Sequence, residues 1–260
     1  TIGFNKIEYT GREFDFLALN CTDTILQDSS VRKALGYAID KDNIVTSVFN
    51  NQRKTADYPL DYGNFLYQNQ EVSSGYNAEQ AKKVLEDGGW TYIKNRWKKN
   101  ISGYTRTLKL KLAVTSDNEA RVRVAETIKE QLKNIGIEVT INKITDSQYG
   151  KYIENKDYQM LLTGVYTSYT PDLTYYFLQG NIFNYESEKM NELMQKSLII
   201  KNTKELSEIY QKIYSQYKED VPFIGLYRNK NITLTSQSLT AKITPNNYTT
   251  YYNLESWYRK

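Results

Sequence analysis

Histidine does not occur in the 260 residues, and cysteine occurs once, at Cys21. Those two facts remove most side-chain catalysis. Without imidazole there is no general base titrating near neutral pH, no usual metal ligand, and no Ser–His or Cys–His nucleophile pair. One thiol closes no internal disulfide and builds no thiolate metal cluster. No cofactor is called for. The remaining groups are 30 carboxylates, 34 cationic side chains and 24 tyrosines. A glycosidase would need two carboxylates facing each other across a cleft, and no acidic pair stands out in a cleft-like segment. The net charge of +4 is a weak bias. The densest basic run, "RWKKN" (Arg96 to Asn100), reads as a solvated turn, so nucleic acid is not an expected partner.

The elements that must position any site read as an alternation of strands and helices. Hydrophobic residues make up 40% and charged residues 25%, ordinary for a folded chain that holds one large domain or two small ones. "EFDFLALN" alternates, with Phe14, Phe16 and Ala18 on one side and Asp15 and Leu17 on the other, which predicts a strand. In "DSSVRKALGYAIDKDNIV", Asp28 or Ser29 caps a helix striped by Val31, Ala34, Leu35 and Ala38. Asp40 caps a second helix carrying Ile44, Val45 and Val48. Residues 50–76, with Pro59, Gly63 and Gly75, read as a long irregular loop. "YNAEQAKKVLEDGGW" is a helix capped by Asn77 and ended by Gly88 and Gly89. A hairpin follows around Lys94, Asn95 and Arg96. "TLKLKLAVTS", a helix opened by a Ser116/Glu119 capping box, and "IEVTINKI" form a β-α-β unit with parallel strands over residues 107–144. Asp146 opens another short helix. "YQMLLTGVY" is a strand buried on both faces. Two helices, the strand "VPFIGLY" and short β segments complete the chain. No apolar run is long enough to span a membrane, and no signal peptide begins at Thr1.

The order of these pieces resembles the family 5 extracellular solute-binding proteins, the oligopeptide- and dipeptide-binding components of bacterial ABC importers. The resemblance is carried by Leu19 and Asn20, then Asp28, Val31, Arg32, Ala34, Leu35, Ala38, Ile39, Asp40 and Asp42. It continues through Tyr76, Ala81, Lys82, Leu85, Gly89 and Trp90, and through Ile128, Gln131, Leu132, Ile135, Gly136, Ile137 and Val139. It implies an α/β fold, the distal lobe of a two-lobed, periplasmic-binding-protein-like (type II) receptor, with a mixed sheet flanked by helices. Residues 1–220 would be that lobe, folding without the rest. Residues 221–260 would return to the proximal lobe, which is missing along with the leader and lipid anchor. Cys21 follows a strand, has no apolar leader, and is expected as a small buried thiol rather than a lipidated one. Arg32 and Asp40 are expected to serve structure rather than ligand.

The resemblance also points to site residues. In peptide-binding relatives, the strand ending near Gly164 runs into a segment whose aspartate holds the peptide's α-ammonium. Here the segment is "GVYTSYTPDLTYYF", and Ser168 stands at the clamp position, where a hydroxyl gives a weaker bond than a carboxylate. Asp172 could take over, or could be a turn acid for "LTYYFL". Phe16, Tyr166, Tyr169 and Tyr227 complete the candidates. The implied function is binding of a peptide or other small ligand without catalysis, as a monomer delivering to the ABC permease of the membrane. The implied place is the cell exterior, anchored as a lipoprotein of Gram-positive type. A family receptor for an oligosaccharide or metal complex is the alternative, and a carboxylate-based glycosidase comes behind it.

Overall fold

Strand β1 (Phe4–Leu19) is the axis of the structure. It is seen in a computed structural model that describes residues 3–60, 65–67, 75–240 and 243–259. Gly63, residues 68–74 of the expected irregular loop, and Lys260 lie outside the described residues. Next in chain order come α1 (Ser29–Ala38), α2 (Lys41–Phe49), β2 (Arg53–Thr55) and α3 (Ala78–Asp87). They are followed by β3 (Thr91–Ile93), β4 (Arg96–Ile101), β5 (Tyr104–Thr107), β6 (Lys109–Thr115), α4 (Glu119–Asn134) and β7 (Glu138–Ile144). Then come α5 (Asp146–Asn155), β8 (Met160–Tyr166), α6 (Thr174–Phe177), α7 (Glu188–Ile199), α8 (Thr203–Asp220) and β9 (Phe223–Ser236). Two short strands, β10 (Leu239–Thr240) and β11 (Tyr258–Arg259), pair in the tail.

The main sheet has the order β2-β9-β1-β8-β6-β7. It is mixed: β1 runs antiparallel to β8 and β9, while β6 is parallel to both β7 and β8. The expected β-α-β unit is therefore present as β6-α4-β7. The expected hairpin turns between β3 and β4, with Lys94 and Asn95 both at positive φ, as a tight two-residue turn requires.

Helices cover both faces of the sheet. Leu17 and Leu19 pack with Val31, Leu35, Leu85, Ile128 and Leu132 of α1, α3 and α4. On the other face Phe14, Phe16 and Ala18 pack with Phe177, Met190, Tyr214 and Tyr217 of α6, α7 and α8. β8 is buried from Met160 through Thr163, consistent with a strand enclosed on two sides.

Nearly every helix starts on a side-chain cap. Asp28, Asp40, Asn77, Ser187 and Asn202 accept from backbone N–H groups of the first turn, each satisfying a donor that has no intrahelical partner. Two expected caps are corrected. Asn118, not Ser116, caps α4 by accepting from Arg121 N, and Ser116 instead hydrogen-bonds through its N–H to Ile144 O. Thr145, not Asp146, caps α5, in a reciprocal capping box with Gln148. Both caps fall beside the expected residue because several short polar residues cluster at each helix start, and only the loop path selects among them.

Asp28 does more than cap. It also accepts from Trp90 Nε1 at 3.0 Å and Lys99 Nζ at 2.6 Å, tying α1 to the hairpin. Burial opposes its ionisation, but the bonds from Lys99, Ser30 and Trp90 outweigh it and hold the carboxyl below its ordinary value. A carboxyl depressed on folding contributes stability that is full above its unfolded pKa of about 3.9 and is lost as pH falls through the lower folded value. Urea midpoints should therefore separate wild type from Asp28→Asn at pH 7, and the gap should close below about pH 4. A gap unchanged at pH 3 would assign the effect to packing.

Arg32 is buried and donates to Asp220 O (2.8 Å), Leu26 O (2.7 Å) and Gln27 O (3.1 Å). A cation at the last carbonyls of α8 also suits the helix dipole. Asp40 caps α2, and its backbone is bracketed by the Gln131 amide. Both residues are structural, as expected.

Residue 220 falls just before β9, whose Phe223, Ile224 and Leu226 are core and which pairs with β1 as far as Ser236. Two further expectations change. Within the expected irregular loop, β2 pairs with β9, and Ala56, Tyr58 and Leu60 are buried. Cys21 is half-buried rather than buried. Its Sγ reaches Leu19 O at 3.6 Å, and burial pushes its pKa up to about 11, which favours the protonated thiol at neutral pH.

Candidate functional site

Strands β6 and β8 are parallel, and their carboxyl ends meet the β1–β9 pair at one rim of the sheet. Open sheets of this kind carry ligands at strand carboxyl ends. The rim begins with an irregularity in β1. Thr10 pairs with Lys230 and Phe14 with Arg228, so Gly11, Arg12 and Glu13 oppose the single residue Asn229. Asn229 takes the place of the ladder by accepting from Glu13 N at 2.9 Å, and a Cβ on Gly11 would lie 2.2 Å from that same side-chain oxygen. Gly11 is needed for this close approach, and the bulge sets Glu13 at the rim and Arg12 against Thr167 O.

A hollow of about 300 Å³ opens beside the bulge, lined by Glu13, Asp15, Phe49, Arg53, Arg121 and Tyr166 among others, with Tyr227 as its floor. Arg121, in the first turn of α4, donates from Nε and Nη2 to the two oxygens of Asp15, each at 3.0 Å. The pair crosses β8 at Gly164, where a Cβ would lie 2.0 Å from Asp15 Oδ1 and 2.5 Å from Arg121 Nη2. Glycine is therefore fixed there by the ion pair above it. Burial opposes the Arg121 charge, but the Asp15 carboxylate raises its pKa on balance. At the rim Glu13 is held by Arg53 at 3.3 Å and accepts from the Tyr166 hydroxyl at 2.9 Å.

A narrower pocket of about 20 Å³ adjoins it, lined by Pro59, Thr167, Ser168, Tyr169, Asp172 and Tyr248 among others. Two arginines hold this segment. Arg12 donates from Nε and Nη2 to Thr167 O and lies 3.6 Å from the centre of the Tyr169 ring. Arg228, buried, donates to Thr167 Oγ1 at 3.1 Å and to Pro59 O. Tyr169 stacks on Tyr248, whose hydroxyl donates to Tyr169 O.

Five of the six expected site residues meet here. Tyr166 and Tyr227 belong to the larger hollow, and Ser168, Tyr169 and Asp172 to the smaller one. Tyr166 is 72% exposed and Tyr169 53%, but the Tyr169 ring is engaged by Arg12 and Tyr248, so Tyr166 is the more open of the two. Tyr227 is the opposite: its hydroxyl is shut off from water, and burial together with the neighbouring Asp15 carboxylate pushes the phenol far up. The Ser168 hydroxyl pairs with Thr170 Oγ1 at 2.9 Å and accepts from Thr170 N, a local turn. Asp172 Oδ1 accepts from Thr174 N at 2.8 Å, the turn-acid arrangement at the start of α6.

Phe16 is the correction. It is fully buried among Phe14, Phe183, Phe223 and Tyr176, with no surface in either hollow. Its face of β1 is roofed by α6 and the loop before α7, which the strand's own alternation could not report. The residues not anticipated are Arg12, Glu13, Asp15, Arg53 and Arg121. Asp15 did carry a signal, because an acid between two phenylalanines of an enclosed strand must be paired.

A larger cavity of about 460 Å³ lies near the opposite strand ends, lined in part by Cys21, Arg32, Asn181 and Asp220. Its buried polar groups are already engaged: Arg32 as described, Asn181 with Leu178 O and Tyr185 O, and Asp220 with Tyr185 and Gln216. It offers a ligand less than the rim does.

Residues 1–185 match the profile of the bacterial extracellular solute-binding proteins, family 5, in its middle region. The chain belongs to that family. Among curated members, it is 27% identical over 255 residues to the oligopeptide-binding protein AppA of Bacillus subtilis, covering 94% of this chain and 46% of AppA. It is 20% identical over 260 residues to heme-binding protein A of Haemophilus influenzae, covering 95% of this chain and 45% of that one. The solved structure of B. subtilis AppA in complex with a nonapeptide superposes with a TM-score of 0.78 at 24% identity, over 100% of this chain and 53% of AppA. HbpA2 from Haemophilus parasuis superposes with a TM-score of 0.83 at 21% identity, over 100% of this chain and 50% of that one. The fold is thus that of the family 5 solute-binding proteins, and the chain spans about half the length of the relatives it matches.

Proposed function

We propose that this chain forms one wall of the ligand cleft in the substrate-binding receptor of a bacterial ABC importer, and that the ligand is an oligopeptide. The observation that carries the reading is the rim: two adjoining hollows at strand carboxyl ends, on a chain whose family relatives include proteins named for oligopeptide binding. The role is capture without catalysis. The hollow's carboxylates Glu13 and Asp15 are each tied to an arginine, which leaves neither placed as a general base. The receptor works outside the cell as a monomer, held by a lipid anchor carried elsewhere in the protein, and hands its ligand to the membrane permease.

The tail supports a second wall. Tyr248, Tyr251, Tyr252, Leu254 and Tyr258 are all at least 49% exposed, and Tyr248 stacks on Tyr169 of the site segment. In this reading they meet the proximal lobe, so the returning segment begins after Ser236 rather than at residue 221.

A thermal-shift screen of the full-length protein tests the reading. Peptide mixtures at about 100 times Kd should stabilise it by about 2.7 kcal/mol. Stabilisation by oligosaccharides or metal complexes with no response to peptides would replace the ligand class. Turnover of a glycoside would replace the function.

A further inference from the structure

The charged groups of the rim are unequally engaged. Glu13 is bound by Arg53 and Tyr166, and Asp15 by both fork nitrogens of Arg121. Asp172, the remaining carboxylate lining either hollow among the described residues, is turned onto the backbone of Thr174. Arg12 has no carboxylate within ion-pair distance among the described residues. Its Nε and Nη2 both go to one carbonyl, Thr167 O, and its Nη1 makes no hydrogen bond among the described residues. It is also rigid for an arginine. The Tyr169 ring packs 3.6 Å from it, and Thr167 N donates back to Arg12 O at 2.9 Å. Arg12 sits in the three-residue bulge opposite Asn229. A half-engaged guanidinium held by a stack is preorganised to take a carboxylate, because little side-chain freedom remains to be lost.

We propose that Arg12 is a specificity residue that receives a ligand carboxylate beside the Thr167–Tyr169 segment. This rests on the peptide-receptor reading and deepens it: the wall near Ser168 favours the anionic part of a peptide, not its ammonium end. Two sources share that chemistry, the C-terminal carboxylate and an acidic side chain.

The test uses the full-length protein and the tightest-binding glutamate-containing member of a pentapeptide library. Calorimetry compares the peptide with free ends, N-acetylated, C-amidated, and with its glutamate changed to glutamine. One of the last two changes should weaken binding about tenfold or more, which identifies the source, and N-acetylation should change it less than about threefold. In Arg12→Gln the carboxylate preference should vanish, the anionic form losing about tenfold more affinity than the neutral form. A merely structural role would weaken every form alike. Should Arg12→Gln fold poorly, the wild-type salt dependence serves instead: between 50 and 500 mM salt the anionic form should lose affinity and the neutral form should not. Binding blind to both neutralisations, a carboxylate preference surviving Arg12→Gln, or a free-amine preference abolished by Asp172→Asn would each overturn the proposal while leaving the peptide reading in place. A folded full-length protein that binds no peptide removes the peptide reading and this inference with it.

Discussion

Phe16→Ala should destabilise this chain by about 3–5 kcal/mol, the usual cost of emptying a phenylalanine site in a packed core. Phe16 is fully buried, with ring centroids of Phe14 at 5.5 Å, Phe223 at 5.7 Å and Phe183 at 5.9 Å. The surrounding rings come from β1, β9 and the loop before α7, elements fixed by the sheet, so the cavity cannot collapse cheaply. The melting temperature should fall by roughly 6–20 °C for a domain of this size. In the full-length protein the ligand affinity of the folded fraction should stay within about threefold, because the residue touches neither hollow. Urea denaturation and calorimetry decide together. Loss of affinity at unchanged stability would return Phe16 to the binding wall.

The second large effect concerns the chain by itself. If it is one wall of a two-walled cleft, it should bind the receptor's peptide at least about 100-fold more weakly than the full-length protein does. Both hollows are open to solvent on one side, so a ligand seated in them buries only part of its surface and keeps water on the rest. The fixed cost of association is paid in full whichever wall is present, so halving the contact removes far more than half of the net affinity. Titration of both proteins with the same peptide is the measurement. Submicromolar binding by this chain alone would show that its rim is a complete site and would sink the two-wall reading.

Much of the architecture was legible without coordinates. Apolar periodicity placed the strands and helices, and short polar residues before each helix placed most caps. Both signals act between residues close in sequence, so the chain states them locally. The caps at Asn118 and Thr145 escaped because Ser116, Asp146 and their neighbours could each have served. The segment 164–177 was expected as a site, and the structure places Tyr166 and Tyr169 at the rim, but the character of that rim was not legible.

What the sequence determined by itself is most of the elements, their order, the family they belong to, and the exclusion of imidazole and thiolate-cluster chemistry. What only the tertiary structure decided is the identity of the groups that meet. Asp15 and Arg121 are 106 residues apart, and their contact exists because β8 lies between β1 and β6 in the sheet order. Phe16 became core because helices cover both faces of its strand. Arg12 faces Thr167, 155 residues away, because a bulge opposite Asn229 turns it there. Strand order and burial on a second face are properties of long-range pairing, and the alternation of one strand carries no information about which element will lie above it.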